Sequence, residues 1–465
     1  MPMSPHTNED TPIAAPPCNE VTVVVGAGIA GLTAATLLAE SGVKCLLVEK
    51  EQTVGGACRS QVLDDIVFDI GPHIFLLNGQ RAEMFMMGLL QGEEVITRRF
   101  RCAIQSEGRL WKFPVSLFDL LTYPWKYKKQ MLAGFFKKKT QGPHAEQHKA
   151  VSVENEIADK VGPAYYNDVF AKMIVAKTIL TGDKLHLDWI TRVDRDVKNR
   201  KEPFVTLSRT GVIRKFMNAF YQVYHYPKEG FHVFARKLLQ RYERAGGQTI
   251  LDCGPVYFEK NGSQVVSATV RGVTYPVKQV VWTGSVNGLN QVLGGGAPAI
   301  RYIKTILVFL TYNRMKPVKR PCVYVYYARK DLVFNRVYYP YSIYREQSPP
   351  AKEGICLEIN YFDEFDSISD DEIIGRTVAD VEKIGLFKAV DLRQSQVVRI
   401  GESIPLYELD YESKMEEAYK DVHTYGNLYS VGRQGGYFFC LSPAAVMQGL
   451  KIADHLLQKK STVPR

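Results

Sequence analysis

The apolar positions of the chain fall into short runs of two kinds. "VTVVV" at Val21–Val25 is a continuous β-branched run, the pattern of a strand buried on both faces, and it stops at the glycine cluster "GAGIAGL". Leu32, Ala35, Leu38 and Ala39 then recur at helical spacing as far as Ser41-Gly42, a helix stop. "KCLLVEK" predicts a second strand, so the chain opens as a βαβ unit whose helix begins inside the glycines. The same character returns later. "GFHVFARKLLQRYERAGGQTILD" predicts a helix and a strand, "GPVYFEKNGSQVVSATVRG" a hairpin turning on Asn261-Gly262, and "VKQVVWTG" a further buried strand. "NLYSVGRQGGYFFCLSPAAVMQGLKIADHLL" predicts a strand, a glycine turn and a closing helix. Aromatic-rich, basic stretches separate these pieces.

At 465 residues the chain exceeds one simple core, so two domains are expected. No apolar run reaches the roughly 18–20 residues that cross a bilayer, and "IKTILVFL" is strand-sized. Residues 1–20 have neither a basic n-region nor an apolar h-region and are expected to form a disordered tail. Cys18, Cys45, Cys58, Cys102, Cys253, Cys322, Cys356 and Cys440 are scattered, with no CxxC and no metal-ligand spacing, which suggests a reduced, cytoplasmic setting and no metal site. The net charge of +10 is partly local. Lys126, Lys128, Lys129, Lys137, Lys138 and Lys139 lie among Tyr123, Trp125, Tyr127, Phe135 and Phe136 without an acid. Residues 123–139 are thus either a solvated lysine face or a surface for an anionic membrane or substrate. No nucleic-acid motif is present, and oligomeric state is not readable.

Gly26, Gly28 and Gly31 form G-x-G-x-x-G between a predicted strand and helix. The first permits the tight turn, the second lets backbone approach a pyrophosphate, and the third packs helix on strand, with the helix N-terminus aimed at phosphate. Glu49, followed by Lys50, ends the second strand where a carboxylate can accept ribose hydroxyls. Just beyond, "EKEQTVGGACRS" sets Gly55-Gly56 and Arg59 beside the same pyrophosphate, which a simple NAD site does not need.

That continuation resembles the "E-x(5)-G-G-x-x-x-S/T" segment of the FAD-binding superfamily of amine oxidases, protoporphyrinogen oxidases, phytoene desaturases and UDP-galactopyranose mutases. "YHYPKEGFHVFARKLLQRYERAGGQTILDCGPVYFEKNG" and the C-terminal glycine-turn-and-helix segment resemble two further signatures of this group. The resemblance implies an α/β fold, with a Rossmann-like FAD-binding domain of the GR2 type and an inserted mixed α+β substrate domain. Residues 21–97, 226–289 and 406–460 would form the first, and 98–225 and 290–405 the second. It implies FAD as cofactor, with the Val256 backbone at adenine and with Gly432, Arg433, Ser442 and Ala444 near the flavin. Ser442 is suited to cap the closing helix and Pro443 to its first helical position. With no second GxGxxG, electrons would pass to oxygen, a quinone or another acceptor.

"GPHIF" resembles the mutase loop whose histidine lies against the isoalloxazine, which places Gly71 and His73 at the ring. "RLWKFPVSLFDLL" and "ESIPLYELDYESKMEEAYKDVHTYGNLYSVGR" resemble segments of the mutases and their oxidase-like relatives. Mutases end in a motif like "GRLxxYKYYxMD". This chain matches at Gly432, Arg433 and Tyr437, but has Phe438, Phe439, Cys440 and Pro443 where the motif has Lys, Tyr, Tyr and Asp. An aromatic, apolar wall suits a small, flat or hydrophobic substrate. The expectation is an FAD-dependent oxidoreductase that removes hydride from a C–H or C–N bond, with His73 and Arg433 as candidate catalytic residues. The alternatives are a non-redox mutase acting on a nucleotide sugar through reduced FAD, and a catalytically idle flavin-fold partner. His144, His186, His225, His232, His423 and His455 have no ligand-spaced partners and are expected to be ordinary polar residues; the tyrosines of "VFNRVYYPYSIY" are expected to be packing.

Overall fold

A computed structural model describes residues 20–73, 75, 81–99, 102–113, 121–130, 152–190, 223–296, 300–313, 322–343 and 352–461. Val21–Val25 (β1) lies at the centre of the first sheet, where its valines have neighbours on both edges. It pairs in parallel with Cys45–Val48 (β2) on one side and Val273–Trp282 on the other. Every residue of β1 and β2 is buried, as a β-branched run between helical layers requires. Gln248–Ile250 extends the sheet beyond β2, and Leu428–Ser430 pairs in parallel with Val273–Trp282. The hairpin Val256–Asn261 and Gln264–Val270 turns at Asn261-Gly262, where Gly262 takes φ +54°.

Ile29–Glu40 (α1) joins β1 to β2 and is buried almost all round. The His232–Arg244 helix and the C-terminal Ser442–Ser461 helix pack against it. The approach is close: a Cβ at Gly449 would stand 2.5 Å from the Ala30 carbonyl oxygen, so only glycine fits this crossing without a shift.

The second sheet has seven strands, in the order Leu392–Pro405, Tyr302–Asn313, Lys352–Tyr361, Arg336–Tyr338, Tyr324–Tyr327, Cys102–Ser106 and Arg109–Phe113. Tyr302–Asn313 is its spine and is apolar on both faces. Ile306, Val308 and Leu310 pack toward the Asp370–Lys383 helix, while Leu307 and Phe309 join the core shared with α1, the alternation expected of a strand covered on two sides. The hairpin Ser60–Leu63 and Ile66–Asp69 ties the two sheets together. Phe68 packs on Phe309 with centroids 5.0 Å apart, and Asp64 at the hairpin turn pairs with Lys352 at 2.9 Å and Arg393 at 2.6 Å.

Of the basic and aromatic stretch, Tyr123 and Tyr127 are buried edge-on against Trp111, and Lys126 pairs with Asp168, so half of it is packing. Leu121 and Trp125 are about 70% exposed, at 71% and 69%. Phe135, Phe136, Lys137, Lys138 and Lys139 lie outside the described residues, as do residues 1–19, His144 and Tyr344. His225 meets Thr97, His232 meets Ser60, and the His186 ring accepts from the Asp188 N–H, all local polar roles. Among the described residues no helix is long and apolar enough to cross a membrane, and the cysteines are free, buried thiols.

Candidate functional site

The glycine loop between β1 and α1 is shaped by three different demands. Gly26 has φ +98°, and a Cβ there would strike Thr283 Oγ1 at 2.4 Å; a Cβ on Gly31 would stand 2.0 Å from the Gly26 carbonyl oxygen. Gly28 differs. Its own Cβ would meet no atom within 4 Å, so the missing side chain leaves open space at the N-terminus of α1. Gly28 bridges to Gly55, and the Gly55 N–H donates to the Ala27 carbonyl at 2.8 Å, which brings the second glycine turn against the first. Gly55 and Gly56 both have positive φ, at +113° and +55°.

Glu49 is buried beside this loop. Its carboxylate accepts the Ala27 N–H at 2.6 Å and the Glu51 N–H at 3.1 Å, which pins it at the edge of the cradle with lone pairs to spare for hydroxyls. Arg59 Nε donates to the Gly56 carbonyl at 3.0 Å and its Nη1 pairs with Glu51 at 3.2 Å, so the cation borders the second turn. Open backbone at a helix start, an anchored acid and a bordering cation fit a dinucleotide. Lys50 points to solvent, and Val256 opens a hairpin strand just after the Cys253 N–H donates to the Glu49 carbonyl.

The chain then leads through the Ser60–Asp69 hairpin to Gly71 and His73. Gly71 has φ +79°, and a Cβ there would stand 4.0 Å from both Arg336 Nη2 and Glu358 Oε2. His73 stacks on Phe231 at 4.4 Å and 15°. Its Nε2–H donates to the Ala57 carbonyl at 2.8 Å, and its Nδ1 faces the Ser442 hydroxyl at 3.5 Å. Cys58 Sγ lies 3.8 Å from the same hydroxyl. Burial lowers the His73 pKa below 6.5, against the opposing effect of Asp69 and of the Ala57 bond, so the ring is neutral at pH 7 with its proton on Nε2. Burial pushes the Cys58 thiol up to about 12.

Ser442 does not cap the C-terminal helix. The Leu441 carbonyl accepts the N–H groups of Ala444 and Ala445, so Ser442 is already inside the first turn and its hydroxyl is turned toward Cys58 and His73. Ala444 and Pro443 share this turn. The Gly432 N–H donates to Gln448 Oε1 at 2.6 Å, fixing the glycine turn to the same helix. Tyr437 is left-handed at φ +42°, held by its hydroxyl between the Arg301 and Leu406 carbonyls, and this turn delivers Phe438, Phe439 and Cys440 to the wall of the site.

Arg433 has its guanidinium 5.1 Å from the Phe439 ring centroid, and its Nε is buried without a partner among the described residues. Phe439 stacks on Trp189 at 5.2 Å and 5°. Opposite Gly71, Arg336 forms a buried ion pair with Glu358 and lies over the rings of Tyr324 and Tyr326. Glu358 also accepts from Asn360 at 3.0 Å. Lys177, on the Ala171–Thr178 helix, completes the wall over Phe439 and Trp189. The structure thus brings Gly26, Gly28, Gly31, Glu49, Gly55, Gly56 and Arg59 into one cradle and joins it through His73 to Ser442 and Arg433. Lys177, Arg336, Glu358 and Trp189 escaped sequence reasoning. Arg336 lies in the tyrosine-rich "VFNRVYYPYSIY" run, and a charged residue inside such a run was the one available signal.

The fold is a Rossmann-like α/β sheet carrying a glycine-rich cradle, joined to an additional seven-stranded sheet. The family model described as an NAD(P)-binding Rossmann-like domain matches residues 24–88. Hydroxyneurosporene desaturase from Rubrivivax gelatinosus is 51% identical over 55 residues, which are 12% of this chain and 10% of that protein. The chain therefore matches about a tenth of that relative's length. Over the whole fold, the crystal structure of reduced UDP-galactopyranose mutase superposes with a TM-score of 0.72 at 17% identity, covering 95% of this chain and 96% of that one. A candidate protoporphyrinogen oxidase from Exiguobacterium sp. 255-15 gives 0.73 at 14% identity, over 95% and 99%. At such identities these structures share the fold.

Proposed function

We propose that the chain is an FAD-dependent oxidoreductase of the amine oxidase and protoporphyrinogen oxidase-like type, acting on a C–H or C–N bond of a small, flat or hydrophobic molecule. The observation that carries this reading is the continuity of the site. Contacts run from the open backbone at Gly28, past Glu49 and Arg59, to His73 and Ser442, and Ser442 stands three residues along the chain from Phe439 of the aromatic wall. A mononucleotide or a short phosphate ligand does not need so long a track. In this reading residues 21–97, 226–289 and 406–460 hold the cofactor, and 98–225 and 290–405 hold the substrate.

FAD bound along the track supplies the hydride acceptor. The chain's own residues bind, orient and keep protons in place. Gly28 and the start of α1 receive the pyrophosphate, and Glu49 accepts ribose hydroxyls. Arg59 borders the phosphates from the second turn. His73 offers no proton change near neutral pH; its bond to Ala57 fixes its tautomer, and the Gly71–His73 loop would line the flavin end of the cofactor site. The Trp189–Phe439 stack and Tyr324 exclude water and fix the plane of a substrate. The proposed cytoplasmic setting includes a peripheral contact with anionic lipid through exposed Leu121 and Trp125 beside Lys126 and Lys129, for which Trp125→Ser should reduce sedimentation with anionic vesicles and leave neutral vesicles unaffected.

The test is anaerobic. Purified protein loaded with FAD should be bleached by a member of a panel of amines, tetrapyrroles and prenyl compounds with no added reductant. Turnover of a UDP-sugar only after dithionite reduction would replace this reading with the mutase. Thermal stabilisation by panel members narrows the substrate search.

A further inference from the structure

The Arg336–Glu358 pair leaves two other cations of the same wall without an acid. Lys177 Nζ lies 4.6 Å from the Phe439 centroid and 5.3 Å from that of Trp189. The Arg433 guanidinium lies 5.1 Å from the same Phe439 ring. Among the described residues neither the Lys177 nor the Arg433 side chain forms a salt bridge; both side chains lie against these rings, while their carbonyls accept from Asn360 and from the Phe438 N–H. The backbone of Phe439 is held by its N–H donating to the Tyr407 hydroxyl at 2.9 Å, and its ring by the stack on Trp189. Two positive groups are thus held about one ring, half-buried, with their donors unspent. A structure built only for packing has no use for this arrangement, since burying unpaired charge is costly.

We propose that Lys177 and Arg433 form a clamp for an oxyanion, a carboxylate or a phosphate, carried by the substrate. The guanidinium supplies a planar fork of donors and the ammonium a point charge, a combination suited to two oxygens on one atom. The inference rests on the oxidoreductase reading for the identity of the ligand as substrate, and it names that substrate's class: an apolar or flat body bearing one acid group.

The clamp is coupled to protons. Burial, then Arg336 and Arg433, lower the Lys177 pKa to about 7, while Glu358 and Cys102 act in the opposite direction. The other titratable groups facing it do not change charge between pH 6.5 and 8: His73 is held below 6.5, burial pushes the Cys102 thiol up to about 12, and Arg336 is held charged by Glu358 although burial opposes it. An oxyanion between Lys177 and Arg433 favours the charged amine, so binding takes up a proton. Affinity is full where Lys177 is already charged and falls as pH rises through its free pKa, by roughly tenfold between pH 6 and pH 8.

Calorimetry on the FAD-loaded full chain, with benzoate, inorganic phosphate and neutral benzamide as probes in buffers of different ionisation enthalpy, tests this. Wild-type protein should bind benzoate, whose charge is constant over this range, with proton uptake and about tenfold weaker at pH 8 than at pH 6; phosphate is compared at pH 6 alone, and benzamide should not bind. Binding of benzoate assigns a carboxylate-bearing substrate; binding of phosphate alone assigns a phosphorylated one. Lys177→Arg should keep binding and lose the pH dependence, and Lys177→Met should weaken binding at pH 6 by tenfold or more. Absence of binding by both anions, equal binding of benzamide, or a pH dependence of benzoate binding that survives in Lys177→Met would overturn the clamp. Failure to take up FAD would instead remove the oxidoreductase reading, and anion binding to the chain as purified would still decide the clamp.

Discussion

Gly28 and Gly31 separate two jobs that the glycine loop performs, and substituting each by alanine measures them one at a time. On Gly31 the new methyl would stand 2.0 Å from the Gly26 carbonyl oxygen, so the loop or α1 must move. Overpacking of this kind costs about 1–3 kcal/mol or more, and Gly31→Ala should lower the stability of the chain with or without nucleotide. On Gly28 the methyl meets nothing within 4 Å, and the backbone there, at φ −67° and ψ 171°, is open to any residue. A lower unfolded-state entropy favours alanine by about 0.4–1 kcal/mol. Loss of glycine at the helix start opposes this by a comparable amount, so Gly28→Ala should leave the nucleotide-free chain within about 1 kcal/mol of wild type. In the proposed reading the same methyl fills the space that the pyrophosphate would take. Losing two charge-assisted N–H bonds to phosphate, at roughly 1.5–3 kcal/mol each, weakens FAD binding by about 3–6 kcal/mol, on the order of 10²–10⁴-fold. Thermal melts without nucleotide and FAD titrations followed by flavin fluorescence read the two effects separately. Wild-type FAD affinity in Gly28→Ala would refute the assignment of this space to pyrophosphate, and a wild-type melt for Gly31→Ala would refute the close packing of helix on loop.

His73→Ala should keep bound FAD but change the flavin absorption spectrum or its reduction rate; if both are unchanged, His73 is a turn filler. Because burial holds His73 neutral, the pH profile of wild-type reduction should show no step between pH 6.5 and 8 that disappears in His73→Ala. Asp64 ties the hairpin to the second sheet, and its bonds to Arg393 and Lys352 hold its pKa down to about 2 against 3.8. A depressed carboxylate stabilises the fold above its unfolded pKa and loses that contribution as pH falls from about 4 toward 2. Asp64→Asn should therefore lower the thermal midpoint at pH 7 and flatten its decline across that acid window.

The glycine-cradle half of the candidate site was legible because its pattern is local. A buried β-branched strand, a glycine turn, a helix and an acid at the end of the next strand follow one another in sequence, and β1, α1 and β2 form as the pattern predicts. Asn261-Gly262 was legible for the same reason, since two residues specify the turn. The proposed substrate wall was not. Lys177 comes from a short helix, Arg336 and Glu358 from neighbouring strands, and Arg433 and Phe439 from the C-terminal turn; only strand pairing and helix packing over hundreds of residues bring them together. Asn360 shows how: it donates to Glu358 on its own strand and reaches the Lys177 carbonyl at 3.3 Å, fixing helix to sheet. Side-chain direction was equally hidden. Ser442 has the composition of a helix cap, yet one residue of offset turns its hydroxyl to His73 and Cys58.

The central claim is that the cradle holds FAD. A titration of the full chain with FAD and, separately, with NAD and NADP tests it most directly. Saturation at one FAD per chain with a shifted flavin absorption band is expected, with no displacement by either nicotinamide nucleotide. Saturation by NAD or NADP in place of FAD, or no uptake of any of the three, would contradict it.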